Sequence, residues 1–349
     1  MLRIASVSLV LLTALMPLAV PAGAQPAPKI QPATDGIFEA FRTHAIVGLG
    51  DHHDLAQEED FFATLVRDPR FARQVGNVVV EFGSAQSQPI LDRYLNGEDI
   101  PYTELRKVWE DRVGWVPSGA RLGYANFFAA VRTANMALPP AQRIRVWLGD
   151  PPIDWNAVRT KADWLPILRQ RDMHTHALIR REILSKGRKA LVIYGGTHFF
   201  PSDQGELEDV GPLLNKSDPG ALFTVLPYSG FTTAACSLAF EKDARLPLLS
   251  LATPVRGTSL EKALTRPGCR TSPDSISPKH EGQWSGTDAD AFLYIGPAAG
   301  LLRSPLMPDI YLDAAHRAEM SRRYEIVMGK PLASSTYDRN PSTALPFRP

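Results

Sequence analysis

Four short apolar runs punctuate the first two hundred positions: Ala45–Gly50 (AIVGLG), Asn77–Phe82 (NVVVEF), Ile144–Leu148 (IRVWL) and Ala190–Tyr194 (ALVIY). Continuous β-branched runs of this kind mark strands buried on both faces of a parallel sheet. Phe292–Ile295 (FLYI) is a weaker, later candidate of the same type. Between the runs the period changes. Phe61, Phe62 and Leu65 fall at helical spacing among acids, and longer helical patterns cover Arg121–Met136 and about residues 163–185. Strands alternating with helices predict an α/β fold, a mostly parallel sheet covered by helices on both faces. The stretch 95–140 is too long for one crossover helix, so a helical excursion or lid is expected there. Residues 253–286 are rich in Ser, Pro, Gly and Thr and read as a long loop. No internal repeat is present. The pattern predicts one domain over residues 41–330 and a tail over 331–349.

The N-terminus reads differently. Arg3 precedes an almost unbroken apolar run from Ile4 to Val20, and Ala22-Gly23-Ala24 offers a small-x-small cleavage pattern. Residues 1–24 therefore read as a signal peptide and Gln25 as the mature start, followed by a flexible Pro/Ala-rich leader over 25–40. This predicts a periplasmic or secreted protein. No later segment is long and apolar enough to span a membrane. Without Arg3 the chain carries 37 basic and 37 acidic residues. Such a balance gives no electrostatic draw toward nucleic acid or an anionic membrane; the expected partner, a small-molecule substrate or ligand, is read from the site residues instead. Cys236 and Cys269 are the only cysteines, and an even pair in an exported chain reads as a disulfide.

Candidate chemistry collects where the strands end. The first runs into Asp51-His52-His53, the second carries Glu81 near its end, the third runs into Asp150, and the fourth into Gly195-Gly196-Thr197-His198. Ligands of open parallel sheets bind outside the carboxyl ends of the strands. Four successive strands thus deliver acids and histidines toward one edge. Taken alone, Asp150 in Gly-Asp-Pro-Pro reads as a helix cap or a tight turn.

These residues resemble the motifs of a superfamily joining erythromycin esterases, ChaN-like haem-binding lipoproteins, and the Tiki and TraB proteins. Gly50-Asp51-His52-His53-Asp54 is similar to its Gly-Glu-x-His-Asp element, with Asp51 in place of Glu. Val78-Val79-Val80-Glu81 is similar to its hydrophobic strand ending in Glu. Arg171-Asp172-Met173 resembles a compressed Arg-Asp-x-x-Met, and Gly195-Gly196-Thr197-His198 its closing Gly-x-x-His. The matches lie in order between about residues 45 and 200, and no lipoprotein cysteine follows the cleavage point.

The resemblance implies three chemistries. In the esterase pattern no cofactor is used and His53 activates water to cleave an ester, lactone or amide. Glu81 and Asp51 then orient it, His198 stabilises or protonates, and Arg171 holds a carboxylate or oxyanion. In the Tiki pattern His53, Glu81 and His198 hold zinc or manganese with an open position. In the ChaN pattern the protein binds haem or a metal without hydrolysis, with Tyr194 and Met173 as nearby ligand types. Other residues read as structural: His174 and His176 as surface histidines, Glu58 and Glu59 on a solvated helix face from whose first turns either could reach the pocket, and Trp109, Trp115 and Tyr124 as core or lid. No Gly-x-Ser-x-Gly elbow, Walker loop or dinucleotide fingerprint is present.

Overall fold

The computed structural model describes residues 25–114, 121–201, 208–243, 246–271, 288–332 and 345–346. The expected signal peptide, Trp115 and most of the tail lie outside these residues. Eight strands form one sheet: β1 (Lys29–Pro32), β2 (Ile46–Asp51), β3 (Asn77–Ser84), β4 (Arg145–Asp150), β5 (Ala190–Gly195), β6 (Leu222–Tyr228), β7 (Ser250–Thr253) and β8 (Ala291–Tyr294). Their order is β1-β7-β8-β6-β2-β5-β3-β4. All pairings from β8 to β4 are parallel, and β7 runs against both its neighbours. The mostly parallel α/β sheet is the expected one.

Strand alternation sorts the apolar residues into two cores. Val47, Leu49, Val78, Val80, Leu191 and Ile193 face one layer, with helices Ala56–Arg67, Gln88–Leu95 and Leu122–Met136. Ile46, Val79, Ala190, Val192 and Tyr194 face the other, with helices Arg171–Glu182 and Val210–Ser217. Successive side chains on a strand point to opposite faces, so a run apolar at every position needs a helical layer on each side.

Local structure differs from, or adds to, the expectation at four places. The leader is ordered from Lys29, because β1 pairs with β7 and the helix Ala33–Ala40 buries Ile37 and Phe38. The expected loop 253–286 contains the helix Ser259–Leu264, which buries Leu260 and Ala263; residues 272–287 lie outside the described residues. The helical pattern of 163–185 is two helices, Lys161–Arg169 and Arg171–Glu182. In the expected tail, Leu345–Pro346 pairs with Leu302–Arg303. Cys236 and Cys269 form a disulfide.

Candidate active site

β2, β5, β3 and β4 are consecutive in the sheet, so their carboxyl ends bring His53, His198, Glu81 and Asp150 to one edge. Each is placed by a local irregularity. After β2 the chain turns with His53 and Asp54 both in the left-handed region, at φ 54° and 57°. That conformation costs of order 1–3 kcal/mol per non-glycine residue, and polar anchors hold it. Asp51 Oδ1 accepts from the His53 backbone N–H at 2.8 Å, and Asp54 accepts from Arg121 and Arg303. β3 loses register with β4 between Val80 and Ser84, and Glu81 projects from that bulge. β5 ends in a single 3-10 turn, Gly196–Phe199, that carries His198.

His53 is clamped on one side. Its Nδ1 lies 3.1 Å from Asp51 Oδ2, which also accepts from the Tyr124 hydroxyl at 2.6 Å. The carboxylate accepts a hydrogen bond from Nδ1–H, so in the neutral ring Nε2 keeps the lone pair. Nε2 makes no hydrogen bond among the described residues and stands 3.8 Å from Glu81 Oε2. The His53 side chain is 27% exposed, enough for a ligand to reach it. Burial lowers its pKa, but Glu81 and Asp51 outweigh that and raise it. Burial pushes Asp51 up, yet the charge and hydrogen bonds of His53 leave it below the usual range.

Glu81 is held as a carboxylate. Oε2 accepts from the Gly195 N–H at 2.6 Å, and Oε1 from Arg171 Nη1 at 3.1 Å, with Arg112 Nη2 at 3.5 Å. Burial would raise its pKa, but His53, Arg171, His198 and Arg112 hold it far below the carboxylate range. Gly195 is the floor of the site: a Cβ there would lie 3.1 Å from His53 Nε2 and 3.2 Å from Glu81 Oε2.

His198 belongs to a different cluster. Its Nδ1 donates to Asp172 at 2.7 Å and lies 3.5 Å from Asp209, while Nε2 accepts from Arg171. Burial and Arg171 lower its pKa, yet Asp172 and Asp209 draw it up to about 9. A protonated ring would set Nε2–H against the guanidinium, donor to donor. The Arg171 contact and protonation of His198 therefore exclude each other, and the geometry present is that of the neutral ring. Asp150 lies deeper. It accepts from the Val113 N–H at 2.8 Å, and burial pushes its pKa up to about 6 against the pull of Arg171 and Arg112.

His53, Glu81 and His198 do not form one ligand set among the described residues. The groups that close within 4.8 Å are Asp172–His198–Asp209 and Glu110–Asp309–His316. Tyr194 gives its hydroxyl to Thr175 at 2.6 Å, and Met173 is exposed. Three contributors to the site were not assigned from the sequence: Tyr124, Arg112 and Asp172. Asp172 carried a signal, its place in the Arg-Asp motif; Arg112 carried none. Glu58 and Glu59 are buried, not solvated, and burial raises both carboxyls well above their ordinary value. His174 bonds the Gly149 carbonyl and His176 the Ser217 hydroxyl.

No protein-family model and no curated protein matches the sequence. Solved structures do. The chain is similar to a succinoglycan biosynthesis protein at TM-score 0.53 and 10% identity, over 78% of this chain and 94% of that one. It is similar to an erythromycin esterase mutant, EreC, in its open conformation, at TM-score 0.51 and 13% identity, over 78% and 95%. A haem-bound ChaN of Campylobacter jejuni matches at TM-score 0.36 and 12% identity, over 59% and 93%, too loosely to carry an argument. The chain shares the α/β fold of the first two structures.

Proposed function

We propose that this chain is an exported hydrolase that cleaves an ester, lactone or amide with water activated by His53. One observation carries the reading. A histidine is locked by a buried carboxylate on Nδ1 and presents an unbonded Nε2 at the partly open carboxyl edge of the sheet. Nε2 takes a proton from water as the oxygen attacks the carbonyl carbon. The same proton then passes to the leaving oxygen or nitrogen as that bond breaks. Asp51 and Tyr124 hold the ring, and the nearby carboxylates stabilise the imidazolium that forms. Glu81 positions Arg171 and adds negative charge beside His53; three donors hold it too acidic to serve as base. Arg112 is buried, and its Nε and Nη1 have no hydrogen-bond partner among the described residues. Such a group is suited to a developing oxyanion. The disulfide supports an oxidising, exported setting.

A second reading rests on Asp172, His198 and Asp209, each offering a ligand atom within 4.8 Å of the others. One imidazole and two carboxylates would suit zinc or manganese, which would supply Lewis-acid chemistry there. Hydrolysis across an ester, lactone and amide panel tests the first reading. His53→Ala should lose about 10²–10⁴-fold if a general base is removed. Dialysis against a chelator separates the two: activity kept supports the metal-free route, and activity lost then restored by zinc or manganese supports the second. A purified protein with a haem absorption band and no hydrolysis would overturn both.

A further inference from the structure

A second polar cluster lies away from the strand ends. Glu110 closes the short helix Lys107–Glu110, Asp309 opens the helix Asp309–Leu312, and His316 sits in the first turn of Ala314–Met328. Glu110 and His316 are only 5% and 6% exposed. His316 Nε2 lies 3.2 Å from Glu110 Oε1 and 3.7 Å from Asp309 Oδ2. His316 Nε2 and Glu110 Oε1 face each other as an ion pair, and beyond that contact neither atom, nor Asp309 Oδ1, has a further hydrogen-bond partner among the described residues.

Buried polar atoms without partners are costly and rare. Arg323 donates to the Glu110 backbone carbonyl at 3.3 Å, and among the described residues Arg106 is the cation that meets the carboxylates. It donates to Asp309 and Asp313 at 3.1 Å and stands 3.8 Å from Glu110 Oε2. One guanidinium faces three carboxylates. The cluster is thus short of positive charge at the point where these atoms converge.

We infer that Glu110, Asp309 and His316 form a binding site for a divalent transition cation, with zinc the expected occupant. Zinc bonds nitrogen and carboxylate oxygen at about 2.0–2.2 Å, which sets tetrahedral ligand atoms roughly 3.3–3.6 Å apart. The 3.2 Å and 3.7 Å separations lie just to either side of that range. One imidazole with two carboxylates is a borderline-hard set that also accepts manganese. Glu110 and His316 line a cavity of about 530 Å³, so the ion keeps an open side. The site joins segments two hundred residues apart in sequence and would pin the helices 309–328 onto the helix that carries Glu110.

The test is zinc binding by the full chain, stripped with a chelator and followed by equilibrium dialysis and metal analysis. His198→Ala serves as background, because it removes the other group of potential ligands. In that background one zinc per chain should bind. Adding His316→Ala or Glu110→Gln should weaken binding at least about a hundredfold, beyond the 10–100-fold typical of outer-shell changes. Circular dichroism checks folding. Asp309→Asn, at a partly exposed position, decides the matter if His316→Ala fails to fold. Zinc-edge anomalous diffraction from wild-type crystals gives an independent reading, with a peak expected between the three residues. The inference is overturned if the His198→Ala chain binds no zinc, if the Glu110 and His316 variants bind as tightly as their parent, or if the peak lies elsewhere.

Discussion

Gly195→Ala puts the proposed water position to the test with a single methyl group. The added Cβ would lie 3.1 Å from His53 Nε2, 3.2 Å from Glu81 Oε2 and 3.4 Å from His198 Cδ2. It would fill the space that His53 Nε2 and Glu81 Oε2, 3.8 Å apart, both face. The backbone tolerates the change, since φ −46° and ψ 130° are open to alanine. Restricting the unfolded chain stabilises by about 0.4–1 kcal/mol. Crowding costs about 1–3 kcal/mol, so the net change runs from about zero to about −2.6 kcal/mol. The melting midpoint should fall by no more than about 10 °C, at roughly 2–4 °C per kcal/mol for a chain of this class. Activity has no such compensation. If water is displaced from Nε2, the general-base contribution of about 10²–10⁴ is lost. The assay pairs kcat/KM on the best-hydrolysed substrate with a thermal melt. A folded Gly195→Ala protein with wild-type kcat/KM would mean that the reacting water is not held between His53 and Glu81.

Three other outcomes follow from the same geometry. Because Glu81 and Asp51 raise the His53 pKa and the base acts neutral, kcat/KM should climb with pH through a midpoint above the ordinary 6.5. Asp51→Asn should move that midpoint down and lower the plateau, and an unmoved midpoint counts against His53 as base. Asp150 is an acid raised to about 6 in the fold, so the folded state binds the extra proton and loses stability as pH rises from about 4 to 6. Asp150→Asn escapes that loss: its stability relative to the parent should rise by about 3 kcal/mol over that window and then level off, and a flat difference in melts from pH 4 to 8 refutes it. Cys236→Ser opens a loop spanning 33 residues and should lower stability by about 3–4 kcal/mol while leaving the pocket intact, so an unchanged melting midpoint would contradict it.

The fold was legible wherever burial is two-sided. Runs such as Val78-Val79-Val80 and Leu191-Val192-Ile193 can only be central strands, because every position must find an apolar layer. The missed strands are those at the other end of the sheet. β6 carries Pro227, which lacks the N–H a central strand uses. β1 and β7 are four residues each, and they acquire their state by pairing across the sheet, β1 with β7 and β7 with β8. The helix Ala56–Arg67 misled for a related reason. Two adjacent acids at its start look like a solvated face, but both turn inward: Glu58 accepts from the His52 N–H, and Glu59 occupies the room left by the missing side chain of Gly123.

The site was legible to the extent that its residues sit on strand ends, and the limit is physical. His53, Glu81, Asp150 and His198 are placed by the sheet, so strand order along the chain announces them. What tells the two histidines apart is contributed from elsewhere. Tyr124 reaches Asp51 from a helix in the excursion between β3 and β4, and Arg112 approaches Glu81 from the same segment. Asp172 and Arg171 come from the helix between β4 and β5 and take both nitrogens of His198. Those contacts leave His53 with a free Nε2 and His198 with none. The assignment of a base therefore depends on which ring nitrogen is already engaged, a tertiary fact that no spacing of residues along one strand encodes. It also explains why two motif histidines with equal claims in the sequence need not share a task. A carboxylate on Nδ1 prepares either ring, but only the ring whose Nε2 escapes Arg171 can accept a proton from water.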